Sequence, residues 1–143
     1  MNGGQLLAWL DDAIAECERS ARAAEATDPS PWSADLAEGT GLLVSAEGEP
    51  LWDCENSSAL CMTAAASVHA ALHDPASVLR RCAADRKLLM LHGGRGHGCP
   101  AYDCDGDLEG YARFYDHEVC PVVLGIAEGY GWQGTPGRNP GMV

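Results

Sequence analysis

The chain has 143 residues, the size of one ordinary domain, and it can bury a core without disulfides. Nine basic against 21 acidic residues give a net charge of −12, which disfavours phosphate backbones and anionic lipid surfaces as partners. No apolar run is long enough to cross a bilayer, and the N-terminus lacks the basic and apolar stretches of a signal peptide. We therefore expect a cytoplasmic protein with no membrane partner.

The first predicted element is a helix over residues 3 to 26. Pro29 and Pro31 end it, because proline cannot continue the backbone ladder and restricts the residue before it. The apolar residues of this segment recur at alternating steps of three and four, as on one face of a helix: Leu7, Leu10, Ile14, Cys17, Ala21 and Ala24.

A β-hairpin is predicted next, with residues 41–45 facing residues 50–54 across a turn at residues 46–49. A lone hairpin is only marginally stable in water, so we expect it to pack on helices or to pair with a further strand. An alanine-rich second helix is predicted from about residue 58 to residue 72.

The third predicted helix spans about residues 75 to 91. Asp74 can cap its first N–H groups, and Pro75 fits its first turn because an N–H is not needed there. Arg86 falls inside the apolar stripe, so we expect its stem to lie along apolar surface and its guanidinium to pair with a carboxylate. The stripe consists of Val78, Leu79, Cys82, Leu89 and Met90.

Helical spacing returns between Val119 and Tyr130, which predicts a last helix. The fold class is therefore α+β, with three to four helices, a small β-hairpin and an irregular segment between the last two helices. We expect one domain over residues 1–132 and a flexible C-terminal tail over residues 133–143.

The irregular segment gathers residues that bind metal ions. Cys99, Cys104 and Cys120, with one histidine, form a Cys₃His set that suits tetrahedral zinc. A bound zinc ion would also supply the order that irregular backbone lacks, because metal binding contributes folding free energy. The competing interpretation is that the three cysteines are small buried apolar residues. We predict one structural zinc ion.

Three histidines could complete this set. His92 lies just past the third helix, on a rigid base, and is the preferred ligand. His97 lies between glycines two residues before Cys99, and His117 lies three residues before Cys120. Both remain alternatives to His92 as the histidine ligand.

Other chemistries fit the sequence less well. Residues 103–107 resemble a calcium loop, but the glycine is misplaced and Phe114 stands where a bidentate glutamate is needed. Residues 93–98 resemble a phosphate loop only in their glycine content. Four protein ligands would leave no position for an activated water, which favours structural over catalytic zinc. No catalytic residue is assigned.

The cysteines and histidines outside this segment have structural interpretations. Cys17 and Cys82 share the apolar stripes of their helices, so we predict that both are buried and unbridged. His69 and His73 lie four residues apart around the end of the second helix, a spacing more typical of a surface or capping pair than of a second metal site.

The sequence resembles a family of small uncharacterised proteins from actinobacteria and their phages, defined by a His-Asp-Pro-x-x-Val-Leu helix. The matching segments are His73 to Arg80, Asp85 to Leu89, Pro31-Trp32, Ser45 to Gly48 and Cys120-Pro121. In order, the family's histidine, two cysteines and Cys-Pro correspond to His92, Cys99, Cys104 and Cys120. The resemblance implies a domain of unknown function and no particular activity.

The leading functional hypothesis is a small zinc-stabilised module, phage-encoded if the resemblance extends to origin, that binds a protein partner through its acidic surface. The alternative is a zinc-dependent hydrolase or nuclease with an incomplete zinc sphere. Its general base would be one of three acidic residues in the irregular segment: Asp103, Asp105 or Asp107. A third hypothesis, mimicry of nucleic acid, is supported by the net charge alone, so we prefer the binding module and the hydrolase or nuclease to it.

Overall fold

The structure is a computed structural model, and it describes residues 3–37, 40–51, 62–93, 97–99, 113–114 and 120–133. Within these residues there are four helices: α1 (Gly3–Thr27), α2 (Ala64–Ala71), α3 (Pro75–His92) and α4 (Pro121–Gly129). The strands are β1 (Ser33–Ala37), β2 (Thr40–Val44), β3 (Met62–Thr63), β4 (His97–Gly98) and β5 (Arg113–Phe114). The predicted α+β class is confirmed.

The chain divides into two compact units. One unit comprises Met1–Ala15 and Ala83–Val143, and is called the terminal unit below. The other comprises Glu16–Cys82 and is called the central unit. The assignment of residues 1–132 to one domain and of residues 133–143 to a flexible tail stays a prediction. Among the helices that the structure describes, none is both long and apolar enough to cross a bilayer.

The central unit contains a three-stranded antiparallel sheet in the order β1-β2-β3. The chain reverses after β2, where the Leu51 N–H donates to the Leu43 carbonyl and Val44 forms a bridge with Pro50. This part of the predicted hairpin is confirmed as far as Leu51, and residues 52–54 lie outside the described residues. The main partner of β2 is β1, which the sequence analysis missed.

The second helix begins later than predicted. Met62 and Thr63 form β3, and α2 starts at Ala64, so the predicted helix is wrong over these two strand residues. Thr63 explains the boundary, because its backbone is extended and its hydroxyl accepts a hydrogen bond from the Ala66 N–H at 3.2 Å. Residues 58–61 of that prediction lie outside the described residues.

Helix α2 packs against β1 and β2 with a very close approach at Gly41. A Cβ atom on Gly41 would lie 2.2 Å from Ser67 Oγ and 2.6 Å from Ser67 Cβ. Ser67 itself is fully buried, and its hydroxyl donates to the Thr63 carbonyl at 3.3 Å. There is therefore no room for a side chain at position 41, which is why this residue is glycine.

Helix α3 begins as predicted, with Asp74 as its cap. The Asp74 carboxylate accepts hydrogen bonds from the backbone N–H of Ser77, at 2.7 Å, and from the backbone N–H of Trp32. Burial alone would raise the pKa of this carboxyl, but the hydrogen bonds and the nearby Arg80 charge outweigh burial and lower it. A second hydrogen bond also holds the first turn of α3, because Ser30 Oγ accepts from the Ala76 N–H at 3.1 Å.

Asp74→Ala is expected to lower the free energy of unfolding by about 0.5–2 kcal/mol, the usual range for a lost helix cap. Because the folded-state pKa of Asp74 is lowered, its ionised form stabilises the protein above the unfolded-state pKa. That contribution is lost as the pH falls through the folded-state pKa. Urea unfolding of wild type and variant across acid pH measures this, and a stability difference that stays constant down to the lowest pH would contradict it.

The terminal unit buries part of the N-terminal half of α1 and one face of α4. Its buried hydrophobic residues are Leu6, Leu10, Ile14, Cys99, Cys120, Val123 and Ala127.

The apolar stripe of α3 is less buried than predicted. Met90 is 84% exposed, so its predicted place in the buried stripe of α3 is wrong. In that stripe Cys82 is buried, whereas Val78, Leu79 and Leu89 are half-buried.

Arg86 is paired with a carboxylate as predicted. Its Nη1 atom donates to Asp11 Oδ1 at 2.6 Å, and its side chain is 35% exposed, whereas that of Asp11 is 66% exposed. Because solvent reaches this pair, Arg86→Met is expected to change the free energy of unfolding by less than about 1 kcal/mol. Thermal unfolding measures the change, and a loss above about 2 kcal/mol would instead indicate a carboxylate left buried and unpaired.

Neither Cys17 nor Cys82 forms a disulfide. Cys82 is buried as predicted, whereas Cys17 is only half-buried, so its predicted full burial is wrong. The pKa of the Cys17 thiol is raised by its partial burial and, to a smaller extent, by the neighbouring Cys82 and Glu16. A thiol with a raised pKa holds its proton, which makes Cys17 a poor nucleophile.

Candidate metal centre

Three potential ligands meet in the terminal unit, each at the boundary of an element. His92 is the last residue of α3, Cys99 directly follows β4, and Cys120 directly precedes α4. The backbone of Cys120 is extended, and Pro121 occupies the first turn of α4, where a missing N–H costs nothing. β4 is held by antiparallel pairing with β5.

The three ligand atoms form a nearly equilateral triangle. His92 Nδ1 lies 3.6 Å from Cys99 Sγ and 3.7 Å from Cys120 Sγ, and the two sulfur atoms are 3.7 Å apart. Zinc–sulfur and zinc–nitrogen bonds of about 2.3 and 2.0–2.1 Å at tetrahedral angles require ligand atoms about 3.5–3.8 Å apart. The triangle therefore has the dimensions of one face of a zinc tetrahedron.

The two cysteines of the triangle are buried, whereas the histidine is partly exposed. Cys99 is 0% exposed and Cys120 is 3% exposed, whereas His92 is half-buried. Burial raises the pKa of the Cys120 thiol and the adjacent Cys99 adds to the rise, although the Val122 and Val123 N–H groups oppose it. A divalent cation at the centre of the triangle would favour the thiolate forms instead, because it supplies the opposite charge.

Contacts at the C-terminal end of α4 hold this helix, which begins directly after Cys120, in place. The Tyr130 hydroxyl donates to the Asp85 carboxylate on α3 at 2.8 Å. The rings of Trp9 and Trp132 pack edge to face, with centroids 4.8 Å apart. Asp85 lies on α3, the helix that ends at His92, so the Tyr130 contact connects α3 to α4, the helix that begins directly after Cys120.

Gly93 is a supporting residue that the sequence analysis did not single out. Its N–H donates to the Leu89 carbonyl at 2.7 Å, and a Cβ atom here would lie 2.7 Å from that same oxygen. A side chain would therefore disturb the turn that follows His92. The available signal was a glycine directly after the last residue of a predicted helix, which is typical of a helix C-terminus.

The structure brings together three of the four predicted ligands, His92, Cys99 and Cys120, and these could hold a metal ion. Cys104, the fourth, lies outside the described residues, as does His117. The backbone of His97 belongs to β4, but its side chain is outside what the structure describes. His92 is thus the histidine whose ring is placed in the cluster.

The fold and the site define an α+β protein with a candidate metal centre of two cysteines and one histidine. The chain belongs to a family of unknown function (DUF6221), whose family model matches residues 3–130. This match supports the resemblance to a domain of unknown function. No curated protein and no solved structure matches the chain.

Proposed function

We propose that the protein is a small zinc-stabilised binding module that acts on a protein partner through its acidic surface. The observation that carries the zinc assignment is the triangle of His92, Cys99 and Cys120, whose edges of 3.6 to 3.7 Å suit tetrahedral zinc. Cys104 is the fourth ligand in this proposal, which closes the coordination sphere. A closed sphere has no open position for water, so the zinc is structural.

The acidic surface is the part of the proposal that concerns the partner. The net charge is −12, and the exposed acidic residues in the described part of the chain include Asp12, Asp35, Glu47, Glu49 and Glu128. A negatively charged surface attracts positively charged partners and speeds their association. The proposed partner is therefore a protein with a basic face. A cytoplasmic location and an origin in an actinobacterium or its phage belong to this proposal and rest on the sequence.

Replacing zinc by cobalt tests whether the site is structural. Cobalt is visible by its d–d absorption, and its sulfur charge-transfer bands grow with the number of thiolates. We expect a tetrahedral spectrum with the intensity of three thiolates, and a spectrum insensitive to added azide. Cys104→Ser should lose the cobalt spectrum, because the proposed site then lacks one of its three thiolates.

A five-coordinate spectrum, or one that changes on azide addition, would show an exchangeable position. That result would reject the structural assignment and favour the hydrolase or nuclease alternative. Cys17→Ser is the matched control, because Cys17 is an unbridged cysteine of the central unit. It should leave the cobalt spectrum unchanged.

A further inference from the structure

Strand β1 is an open edge of the sheet in the central unit. It pairs with β2 on one side and, among the strands that the structure describes, with none on the other. Ser33 and Asp35 are exposed, and Leu36 is 53% exposed, so solvent reaches this strand. An accessible strand edge is a place where an extended segment of another chain can add a strand.

The hydrogen bonds of β2 show which backbone groups of β1 face outward. Leu43 is the register partner of Ala34, but its carbonyl accepts from the Leu51 N–H on the opposite side of β2. Ala34 and Leu43 therefore form a non-hydrogen-bonded pair, and the Ala34 N–H and carbonyl point away from β2. Because these directions alternate along a strand, the N–H and carbonyl of Leu36 also point outward.

These outward groups are available to a partner. Outside the sheet, the described residues form no backbone hydrogen bond with Ala34 or Leu36. The open edge thus presents the N–H and the carbonyl of both residues, in the alternating arrangement that an added strand requires.

The two faces of β1 differ in what they would accept from an added strand. Leu36 is paired with Gly41, and a Cβ atom on Gly41 would meet Ser67 of α2. Residues paired across antiparallel strands point to the same face, so Leu36 points to the face that α2 covers. A residue added opposite Leu36 would lie on that face, where an apolar side chain would cover the exposed part of Leu36.

The other face of β1 is acidic. Asp35 points there because side chains alternate along a strand, and within the described residues it forms no salt bridge. A lysine or arginine on the added strand would lie next to the Asp35 carboxylate, and opposite charges on neighbouring strands attract. The net charge of −12 favours the same kind of partner.

We propose that β1 is the docking edge for an extended segment of a partner protein in which apolar and basic residues alternate. The apolar residues pair with Ala34 and Leu36, and the basic residues flank Asp35. The proposal rests on the proposed function for the basic character of the partner and not on the zinc ion. A second copy of the chain suits the edge less well. Antiparallel pairing of Ala34 with Leu36 between two copies would place the two Asp35 carboxylates directly opposite each other.

The test is the binding of a synthetic probe to the full chain. The probe is a short, end-capped peptide of alternating lysine and valine with a fluorescent label, and anisotropy measures its affinity. We expect saturable binding. In hydrogen exchange followed by NMR, the amides of Ala34 and Leu36 should gain protection. The amide of Asp35 should change little, because it already faces β2.

Two matched peptides separate strand addition from simple attraction of charge. N-methylation of the valines removes the N–H groups that face β1, and it should weaken binding about tenfold or more, because these hydrogen bonds are lost. N-methylation of the lysines removes N–H groups that face away from β1. It should leave the affinity within about twofold, because the peptide keeps its charge and its hydrogen bonds to β1.

Two matched variants of the protein locate the site. Asp35→Lys should weaken binding of the unmodified peptide about tenfold, because a favourable charge pair across neighbouring strands becomes an unfavourable one. Asp12→Lys is the control, because Asp12 is an exposed aspartate of the terminal unit and the change in net charge is the same. Its loss of affinity should be much smaller.

Several results would overturn the proposal. Equal affinities of the two N-methylated peptides would show that the peptide does not add to the sheet. Equal losses in Asp35→Lys and Asp12→Lys would show a response to net charge and remove β1 as the site, while leaving a basic partner in place. A dimer in analytical ultracentrifugation, with Ala34 and Leu36 amides protected before peptide is added, would make a second copy the occupant. Absence of peptide binding by a chain with one zinc ion would reject the docking edge and leave the zinc assignment intact.

Discussion

Cys120→Ser is expected to abolish stoichiometric zinc binding, because serine replaces a buried thiolate with a hydroxyl that is a poor ligand for zinc. Structural zinc contributes about 10–16 kcal/mol of apparent binding free energy near pH 7. The loss of folding free energy in this variant should therefore exceed the loss caused by removing any single contact in the core. Elemental analysis of the purified variants measures it. Cys104→Ser and His92→Ala should also lose zinc, whereas His97→Ala should retain it.

Cys17→Ser is the control for this series and should keep one zinc ion per chain. Full zinc content in Cys120→Ser would reject the site. Loss of zinc in His97→Ala together with retention in His92→Ala would keep the metal but change its histidine ligand. Full zinc content in Cys104→Ser would remove that residue from the ligand set.

Removal of zinc should have a local effect first. Treatment with a chelator is expected to increase hydrogen exchange over residues 92 to 120 before the core of α1 becomes unprotected. The apparent zinc affinity should also fall as the pH decreases, because the three cysteine ligands must lose protons to bind the ion. Simultaneous loss of protection in α1 and in residues 92 to 120 would contradict the local effect.

Gly41→Ala is expected to destabilise the central unit by about 1–3 kcal/mol or more, the usual cost of inserting a methyl group into a filled space. The added Cβ would lie 2.2 Å from Ser67 Oγ and 3.0 Å from Ala64 Cα, both on α2, which packs against β1 and β2. Urea unfolding measures this loss as a lower midpoint.

Gly125→Ala is the matched control, because Gly125 lies within α4 and a Cβ atom there meets nothing within 4 Å. It should stabilise the protein by up to about 1 kcal/mol, since alanine favours helix over glycine. The double variant Gly41→Ala/Ser67→Gly removes the clashing side chain and should recover part of the lost stability. A Gly41→Ala protein as stable as the wild type would show that the two elements do not pack this closely.

The long helices could be predicted from sequence because their signals are local. Asp74 and Pro75 mark the start of α3 within the chain itself, and the observed bounds of α3 are Pro75–His92. Strand β1 could not be predicted in this way. Its residues, Ser33–Ala37, include few that favour strands, and they become a strand because β2 pairs with them. The same limit applies to Met90, whose exposure depends on which elements pack on α3.

The candidate site was predictable in its residue types but not in its geometry. Cysteine and histidine gather in a segment with little periodicity, which indicates metal binding without fixing which atoms meet. His92 and Cys120 are 28 positions apart, and only the tertiary structure brings Nδ1 and Sγ to 3.7 Å. The preference for His92 as the histidine ligand followed from its place at the end of a predicted helix, a local signal that His97 and His117 lack.

The terminal unit has a consequence for how the protein is made. It is discontinuous in sequence, because Met1–Ala15 and Ala83–Val143 form one unit while Glu16–Cys82 form another. During synthesis the first segment leaves the ribosome well before the residues with which it shares a unit. Leu10 and Ile14, which are fully buried in the folded protein, are made about seventy residues before Ala83, where the rest of their unit begins. A metal ion held by His92, Cys99 and Cys120 can bind only after all three residues have been made, and a peptide of residues 83–143 alone would lack Leu10 and Ile14, two buried residues of the same unit.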